Sequence, residues 1–278
     1  MPLVAFLLII LAAALHALWN FAAKKASGNL SVIWMGLAMA TIAIIPFLFL
    51  LSPDQIFVLE AWPFVLATGI IHAVYFFALA KAYEHGDISV VYPISRGSGI
   101  AGTAIIAYLL LQEKISFIGA SGILFICLGT VFLGLNNTHQ KRGIFFSLLV
   151  AAMIIAYSIV DKLGVGIIHP LGYIFGLVFL TTIFLAPYML INKQQELLSA
   201  IKNMKKYSLI IGLGSGGTYL IILFVFQMAQ ISYVVAAREI SVALGALLGI
   251  IFLKEQNSVQ KMFCITCIVI GMFLIKIA

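Results

Sequence analysis

Stretches of about 20 apolar residues follow one another along the chain, with short polar breaks between them, and about 20 such residues suffice to cross a bilayer as a helix. The breaks carry residues that favour turns, such as Ser52-Pro53-Asp54. The first stretch begins directly after Met1 without the basic segment of a signal peptide, so we expect it to remain as a span. The pattern predicts an all-α membrane protein with ten transmembrane helices, at residues 3–23, 31–51, 62–83, 88–110, 115–135, 144–164, 170–191, 207–230, 232–253 and 258–277.

The composition favours the same membrane interpretation, because 64% of the residues are hydrophobic and only 9% are charged. A soluble domain carries roughly a quarter charged residues, so lipid must cover this surface. The net charge of +7 is spread over span ends and loops, which suits lipid headgroups better than nucleic acid. Cys264-x-x-Cys267 has metal-ligand spacing, but no second ligand pair completes a site. We therefore expect no cofactor and no bound metal.

The chain also contains an internal repeat, in which residues 95–133 align with residues 237–275. The polar matches include Arg96 with Arg238, Glu113 with Glu255, and Ser116 with Ser258. Matched charged residues in so apolar a chain indicate two related halves, which we place at residues 1–138 and 139–278. Because five spans per half is an odd number, the second half must enter the membrane from the opposite face. The repeat is therefore predicted to be inverted.

Three features carry a resemblance to the EamA-type branch of the drug/metabolite transporter superfamily: Trp19-Asn20 in span 1, the acidic Glu113 and Glu255 after spans 4 and 9, and the segment AYEHGDISVVYPISRG at residues 82–97. Within this branch, the segment is similar to that of members encoded with phosphonate-utilisation genes. The resemblance implies transport of small polar metabolites across a bacterial inner membrane, the cell membrane. It also implies cytoplasmic termini, whereas Lys and Arg concentrate in connections that place the termini outside. The absolute orientation stays open.

Arg96 and Arg238 are the strongest candidates for substrate binding, because an arginine several residues inside an apolar span must face a cavity or a partner. Planar guanidinium groups suit carboxylate or phosphate oxygens, so we expect an anionic group on the substrate. The alternative is an internal ion pair, of Arg96 with Glu84 or Asp87, or of Arg238 with Glu239. Four aromatic residues are expected to line the same substrate site, with a lipid-facing position as their alternative: Tyr92, Trp19, Tyr157 and Tyr75.

His16, His72 and Asp161 are candidates for a proton relay, because ionisable groups inside membrane spans can carry protons. The alternatives are packing roles for the histidines and an ion pair of Asp161 with Lys162. Residues 97–102 match G-x-G-x-x-G, but no strand precedes them, so close helix packing is favoured over a dinucleotide site. Glu113 and Glu255 are expected at helix ends and outside the transport path.

These features predict a secondary transporter that moves a small polar metabolite by alternating access, with no enzymatic activity. Spans 1–4 and 6–9 should surround a central cavity, and spans 5 and 10 should lie at the periphery. The expected partners are the small-molecule metabolite and the lipid bilayer, and we expect a monomer that binds no nucleic acid. One alternative is an integral-membrane enzyme, although no nucleophile or carboxylate pair has usable spacing. The other is a channel, although no charged ring or filter repeat occurs in the sequence.

Overall fold

The computed structural model describes residues 1–25, 29–86, 88–132, 141–253 and 258–278, without the side chains of residues 21–25, 88–90, 92–93 and 248–253. The described ranges form helices and short connections, with no strand among them. The helices are α1 (Leu3–Lys25), α2 (Leu30–Leu48), α3 (Pro53–Ile56), a 3-10 turn (Leu59–Ala61), α4 (Trp62–His85), α5 (Ile88–Leu110), α6 (Phe117–Phe132), α7 (Lys141–Gly164), α8 (Pro170–Asn192), α9 (Gln194–Asn203), α10 (Lys205–Met228), α11 (Ile231–Ala237), α12 (Ile240–Leu253) and α13 (Val259–Ile277).

The predicted membrane architecture is confirmed at the level of an all-helical, multi-pass fold. Seven helical segments of the described chain are long and apolar enough to cross a bilayer: α1, α2, the run Pro53–His85 that ends with α4, α7, α8, α10 and α13. Shorter apolar helices occupy Phe117–Phe132 and the described part of α5, Ile94–Leu110. Each predicted span coincides with one of these helices or with the α11–α12 pair. The count of ten crossings stays a prediction.

The connection between the predicted spans 170–191 and 207–230 is not only a loop, because it contains α9. This short helix is amphipathic. Leu197 and Ala200 are buried, and Ala200 packs against residues of α2, whereas Leu198 is exposed on the other side. Lysines flank the helix, a composition typical of a segment that lies at the membrane surface.

Span 9 is also different from the prediction, because the helix is interrupted between α11 and α12 at Arg238 and Glu239. Here the backbone bonds tighten: the amide of Glu239 donates to the carbonyl of Ala236 at 3.0 Å, and that of Ser241 to Arg238 at 3.2 Å. These hydrogen bonds join residues i and i−3, as in a 3-10 helix, whereas those of an α-helix join residues i and i−4. The turn lets the two adjacent charged side chains reach partners on two different helices, as described below.

The helices pack in pairs that the internal repeat relates. If α1, α2, α4, α5 and α6 correspond to α7, α8, α10, the α11–α12 pair and α13, then the contact of α4 with α7 repeats that of α10 with α1. The contacts of α4 with α8 and of α5 with α7 likewise repeat those of α10 with α2 and of α12 with α1. Helix α6 packs against its own counterpart, α13. Such duplicated packing is typical of transporters built from two related halves.

Glycines allow the closest of these helix contacts. A Cβ atom on Gly212 of α10 would lie 2.1 Å from the carbonyl oxygen of Gly36 in α2, and one on Gly122 of α6 would lie 2.7 Å from that of Gly271 in α13. The packing role predicted for residues 97–102 is confirmed in the same way, since a Cβ on Gly102 would meet Ile155 of α7. Small residues at membrane-helix interfaces let backbones approach, and this produces dispersion contact where no hydrophobic force between helices is available.

One end of the bundle holds both chain termini and a capped helix start. The amino group of Met1 bonds to the carbonyl of Lys276, so the two termini are adjacent. Glu113 lies at a helix end, as predicted. Its carboxylate accepts hydrogen bonds from the amides of Ile231 (2.6 Å) and Ser232 (3.1 Å) and from the hydroxyl of Ser232 (2.6 Å), at the start of α11. The predicted repeat partner, Glu255, lies outside the described residues.

Candidate functional site

A cavity of about 100 Å³ lies between the two sets of helices that the repeat relates. Its walls come from α1, α2, α4 and α5 on one side and from α7, α8, α10 and the α11–α12 turn on the other. No residue of α6 or α13 lines this cavity in the described part of the chain. The side chains predicted for a substrate site or proton relay that line it are His16, Trp19, His72, Tyr75, Arg96, Tyr157 and Arg238.

The Arg96 guanidinium is held by an acidic side chain from the other half. Its Nη1 donates to Oε1 of Glu239 at 3.2 Å, and both side chains are buried. The alternative pairings of Arg96 with Glu84 and of Arg238 with Glu239 were therefore wrong. Glu84 instead pairs with Lys81 at 2.7 Å. Asp87 lies outside the described residues, so its pairing with Arg96 stays a prediction. An ion pair between the halves could be predicted from neither local spacing nor sequence neighbours.

Arg238 has a different environment, although it is buried to a similar degree. Its Nη2 donates to the Tyr157 hydroxyl at 3.2 Å, and its guanidinium carbon lies 6.0 Å from the centre of the Tyr219 ring. The described residues place no carboxylate within salt-bridge distance of it. The Nε–H has no hydrogen-bond partner among the described residues. The carboxylate of the adjacent residue, Glu239, is the one that bonds to Arg96 instead.

Aromatic rings form much of the wall beside the arginines. The His72 ring stacks on Tyr157 with a centroid distance of 4.5 Å, and Tyr75 meets Tyr157 edge-on at 5.8 Å. On α1, His16 contacts Trp19 edge-on at 4.8 Å, and the indole N–H of Trp19 finds no hydrogen-bond partner in the part of the chain that the structure describes. The Tyr92 side chain lies outside the described part, so its predicted place in the site stays a prediction.

Below the cavity, Asp161 belongs to a polar layer and is not one of the cavity-lining residues. Its carboxylate accepts hydrogen bonds from Tyr173, at 2.8 Å, and from Tyr219, and Tyr219 itself lines the cavity. Asp161 does not pair with Lys162, which was the alternative weighed from the sequence. The Lys162 ammonium instead donates to the carbonyls of Phe226 and Ala229 near the end of α10. Two adjacent residues of α7 therefore bond to neighbouring helices and not to each other.

The cavity continues towards one membrane face. A second cavity of about 100 Å³ shares Trp19, Tyr75, Phe76, Arg96 and Ser215 with the first, and its other walls lie where α1 and α4 end and α2 begins. A third cavity, of about 450 Å³, lies at the face that holds the termini and shares no lining residue with the first. Along α7, Asp161 lies between Tyr157, which lines the first cavity, and Lys162, which lines the third. The described state therefore extends its central cavity towards one face and has a packed polar layer on the other.

The sequence missed two functional candidates of this cavity. Glu239 had been considered only as a neighbour of Arg238, although a carboxylate inside an apolar stretch is itself a signal of an interior partner. Tyr219 is the second, and nothing in its spacing indicates its bond to Asp161 across α7 and α10. Both assignments depend on contacts between helices that are far apart in the chain.

The paired packing and the central cavity define a class of multi-pass membrane protein with transporter architecture. The family model described as "EamA-like transporter family" matches residues 3–135 and again residues 141–277. The protein therefore belongs to the EamA-like transporter family, as the sequence motifs predicted. A solved structure described only as "Crystal structure of protein" has a TM-score of 0.78 to this chain at 14% sequence identity, over 99% of this chain and 96% of that one. That similarity concerns the fold alone. A search of curated proteins gives no match.

Proposed function

We propose that this protein is a secondary transporter that moves a small polar metabolite with an anionic group across a bacterial inner membrane by alternating access. The observation that carries the proposal is the central cavity, which receives one buried arginine from each half of the repeat. Guanidinium groups in a site shielded from water favour carboxylate or phosphate oxygens. Trp19, Tyr75 and Tyr157, and in our expectation Tyr92, would contact the rest of the substrate.

Alternating access is supported by the difference between the two faces. The central cavity extends towards the face where α1 and α4 end, whereas the layer of Asp161, Tyr173 and Tyr219 lies between it and the opposite face. Rocking of two related halves about a site near the membrane centre would exchange these roles. Proton coupling through His16, His72 and Asp161 stays part of the proposal. Similarity to members encoded with phosphonate-utilisation genes is likewise only a proposal for the substrate.

Uptake into sealed proteoliposomes tests the function. Vesicles that contain the purified protein should accumulate one of a panel of labelled metabolites with a single carboxylate or phosphate group. Unlabelled compound inside the vesicles should accelerate entry, because a carrier exchanges substrate whereas a channel does not. Recovery of chemically altered compound would instead support the membrane-enzyme alternative. Absence of uptake for every compound in the panel would count against the transporter proposal.

Two neighbouring glycines of α10 provide a matched pair for this assay. Gly216 lines the cavity, and a Cβ built on it would have its nearest neighbour, Ala40 Cβ, at 3.7 Å. A Cβ on Gly217 would meet nothing within 4 Å, and this residue does not line the cavity. We expect Gly216→Phe to block uptake by filling the cavity, and Gly217→Phe to preserve it. Equal loss of uptake in both variants would show that the cavity is not the path.

A further inference from the structure

The two arginines of the cavity differ in how their charges are compensated. Arg96 donates to the carboxylate of Glu239, which is 2% exposed. Arg238 donates to a neutral phenol, that of Tyr157, and has no carboxylate within salt-bridge distance among the described residues. A charge that is out of water and not paired with an opposite charge is costly, because the interior screens it poorly. The two arginines that the repeat relates therefore differ in charge compensation: Arg96 bonds to a carboxylate, and Arg238 bonds to a neutral hydroxyl.

The Arg238 guanidinium also retains hydrogen-bonding capacity. The residue is 5% exposed, and its Nε–H bonds to none of the described residues. Two other polar groups of the cavity wall share this property: the indole N–H of Trp19 and the hydroxyl of Thr218. Buried polar groups in proteins are nearly always hydrogen-bonded, so a polar ligand in the cavity would satisfy donors that the described residues leave open. Asp161 does not supply it, because its carboxylate bonds to Tyr173 and Tyr219.

From these contacts we infer that Arg238 binds the anionic group of the substrate, whereas Arg96 bonds to Glu239. The cavity would then select a substrate with one anionic group attached to a flat apolar body. The aromatic wall provides the apolar surface: Tyr219 lies beside the Arg238 guanidinium, and Tyr75 and Tyr157 meet edge-on. Glu239 acts as a positioning residue, because it neutralises Arg96 and so leaves a single guanidinium for the ligand. This inference rests on the proposed function only in calling the ligand a substrate, because binding of an anion to the cavity can be measured without transport.

Binding of labelled benzoate to the purified full-length protein in detergent tests the inference. Benzoate has one carboxylate on a flat ring, benzyl alcohol has the same ring without charge, and phthalate has a second carboxylate. We expect unlabelled benzoate to compete for the site and benzyl alcohol not to compete. Arg238→Gln should weaken benzoate binding by about tenfold or more, because the cavity loses the guanidinium that has no carboxylate partner among the described residues. Arg238→Lys should recover part of the affinity, since the charge returns without the planar fork.

The Glu239–Arg96 pair supplies the matched controls. In Arg96→Gln alone, the released Glu239 carboxylate would be free to pair with Arg238, so benzoate binding should fall. In the double variant Arg96→Gln/Glu239→Gln, both charges of the pair are absent and benzoate binding should return to within about threefold of the wild type. Glu239→Gln alone removes the carboxylate that accepts from Arg96 and lies beside Arg238, and should shift the preference from benzoate towards phthalate.

Three results would overturn the inference. One is binding of benzoate that is no stronger than that of benzyl alcohol in the wild type. The second is wild-type affinity in Arg238→Gln together with lost binding in the double variant, which would make Arg96 the anion ligand. The third is an unchanged preference for benzoate over phthalate in Glu239→Gln. Each variant is compared by size-exclusion profile and melting curve, so misfolding is recognised. Benzoate binding without uptake by vesicles would retain this site and reject the transporter, whereas uptake of another metabolite without benzoate binding would do the reverse.

Discussion

Gly212 of α10 should be among the residues least tolerant of substitution, although it binds nothing. A Cβ atom at this position would lie 2.1 Å from the Gly36 carbonyl oxygen and 2.6 Å from the Gly36 carbonyl carbon, whereas ordinary contact begins at 3.4 Å. The obstacle is backbone, which cannot rotate away, so α2 and α10 would have to separate locally by about 1.3 Å. Overpacking of this kind costs about 3 kcal/mol. The better helix propensity of alanine returns about 1 kcal/mol. The expected net loss for Gly212→Ala is about 2 kcal/mol, from these two principles.

The assay is the apparent melting temperature of the purified variant in detergent, read from intrinsic tryptophan fluorescence. A loss of about 2 kcal/mol corresponds to a decrease of roughly 4–8 °C for a chain of this size. The control is Gly217→Ala in the same helix, where a Cβ meets nothing within 4 Å and only the propensity gain applies. We expect Gly217→Ala to melt at or slightly above the wild-type temperature. If the two variants melt together, the close approach of α2 and α10 does not contribute to stability as argued.

Two further substitutions test the polar contacts. Glu113→Gln should lower the melting temperature, because a neutral amide accepts weaker bonds than the carboxylate that receives three donors at the start of α11, and the exposed Glu60→Gln serves as the neutral control. An unchanged melting temperature for Glu113→Gln would contradict this capping role. Asp161→Leu should cost about 2–4 kcal/mol, because the hydroxyls of Tyr173 and Tyr219 lose a buried acceptor, whereas Asp161→Asn, which keeps one oxygen, should cost less. Equal melting of the Leu and Asn variants would exclude that explanation.

The positions of the membrane helices could be predicted from the sequence because apolar length and turn residues are local properties. The helix α9 was missed because it depends on tertiary contact. The segment Gln194–Asn203 has mixed polarity, and its buried face forms where it packs against α2, α8 and α10. The interruption at Arg238 was also missed. No proline or glycine marks it, and the surrounding residues are as apolar as in any other span. Its cause is tertiary, since the two charged side chains reach partners on α7 and α5.

Most of the residues that line the cavity could be predicted from the sequence, whereas the bonds between them could not. Arginines deep in apolar spans and interior aromatic residues have few places to lie other than a shared cavity, and the structure brings Trp19, Tyr75, Tyr157 and both arginines to one. Which carboxylate meets which arginine depends on helix rotation and on the distance between α5 and the α11–α12 turn. A sequence contains no direct record of either quantity. The predicted neighbours were therefore chosen by chain distance, and that choice was wrong for Glu84 with Arg96 and for Glu239 with Arg238.

The two halves of the repeat differ at the residue that follows the arginine, and this difference determines the electrostatics of the cavity. In the alignment, Gly97 occupies the place that Glu239 has in the second half. A Cβ atom on Gly97 would lie 2.5 Å from Cγ2 of Val131 in α6, so an acidic side chain there would have to displace Val131. The second half supplies the carboxylate of Glu239, and because its Oε1 accepts from Arg96, Arg238 has no carboxylate within salt-bridge distance among the described residues. A duplicated sequence thereby gives a site with one compensated and one uncompensated arginine, which a single anionic group can complete. If this reasoning is correct, a carboxylate introduced beside Arg96 by Gly97→Asp should disturb the packing of α5 on α6 and lower the melting temperature, whereas Gly97→Ala should do so less.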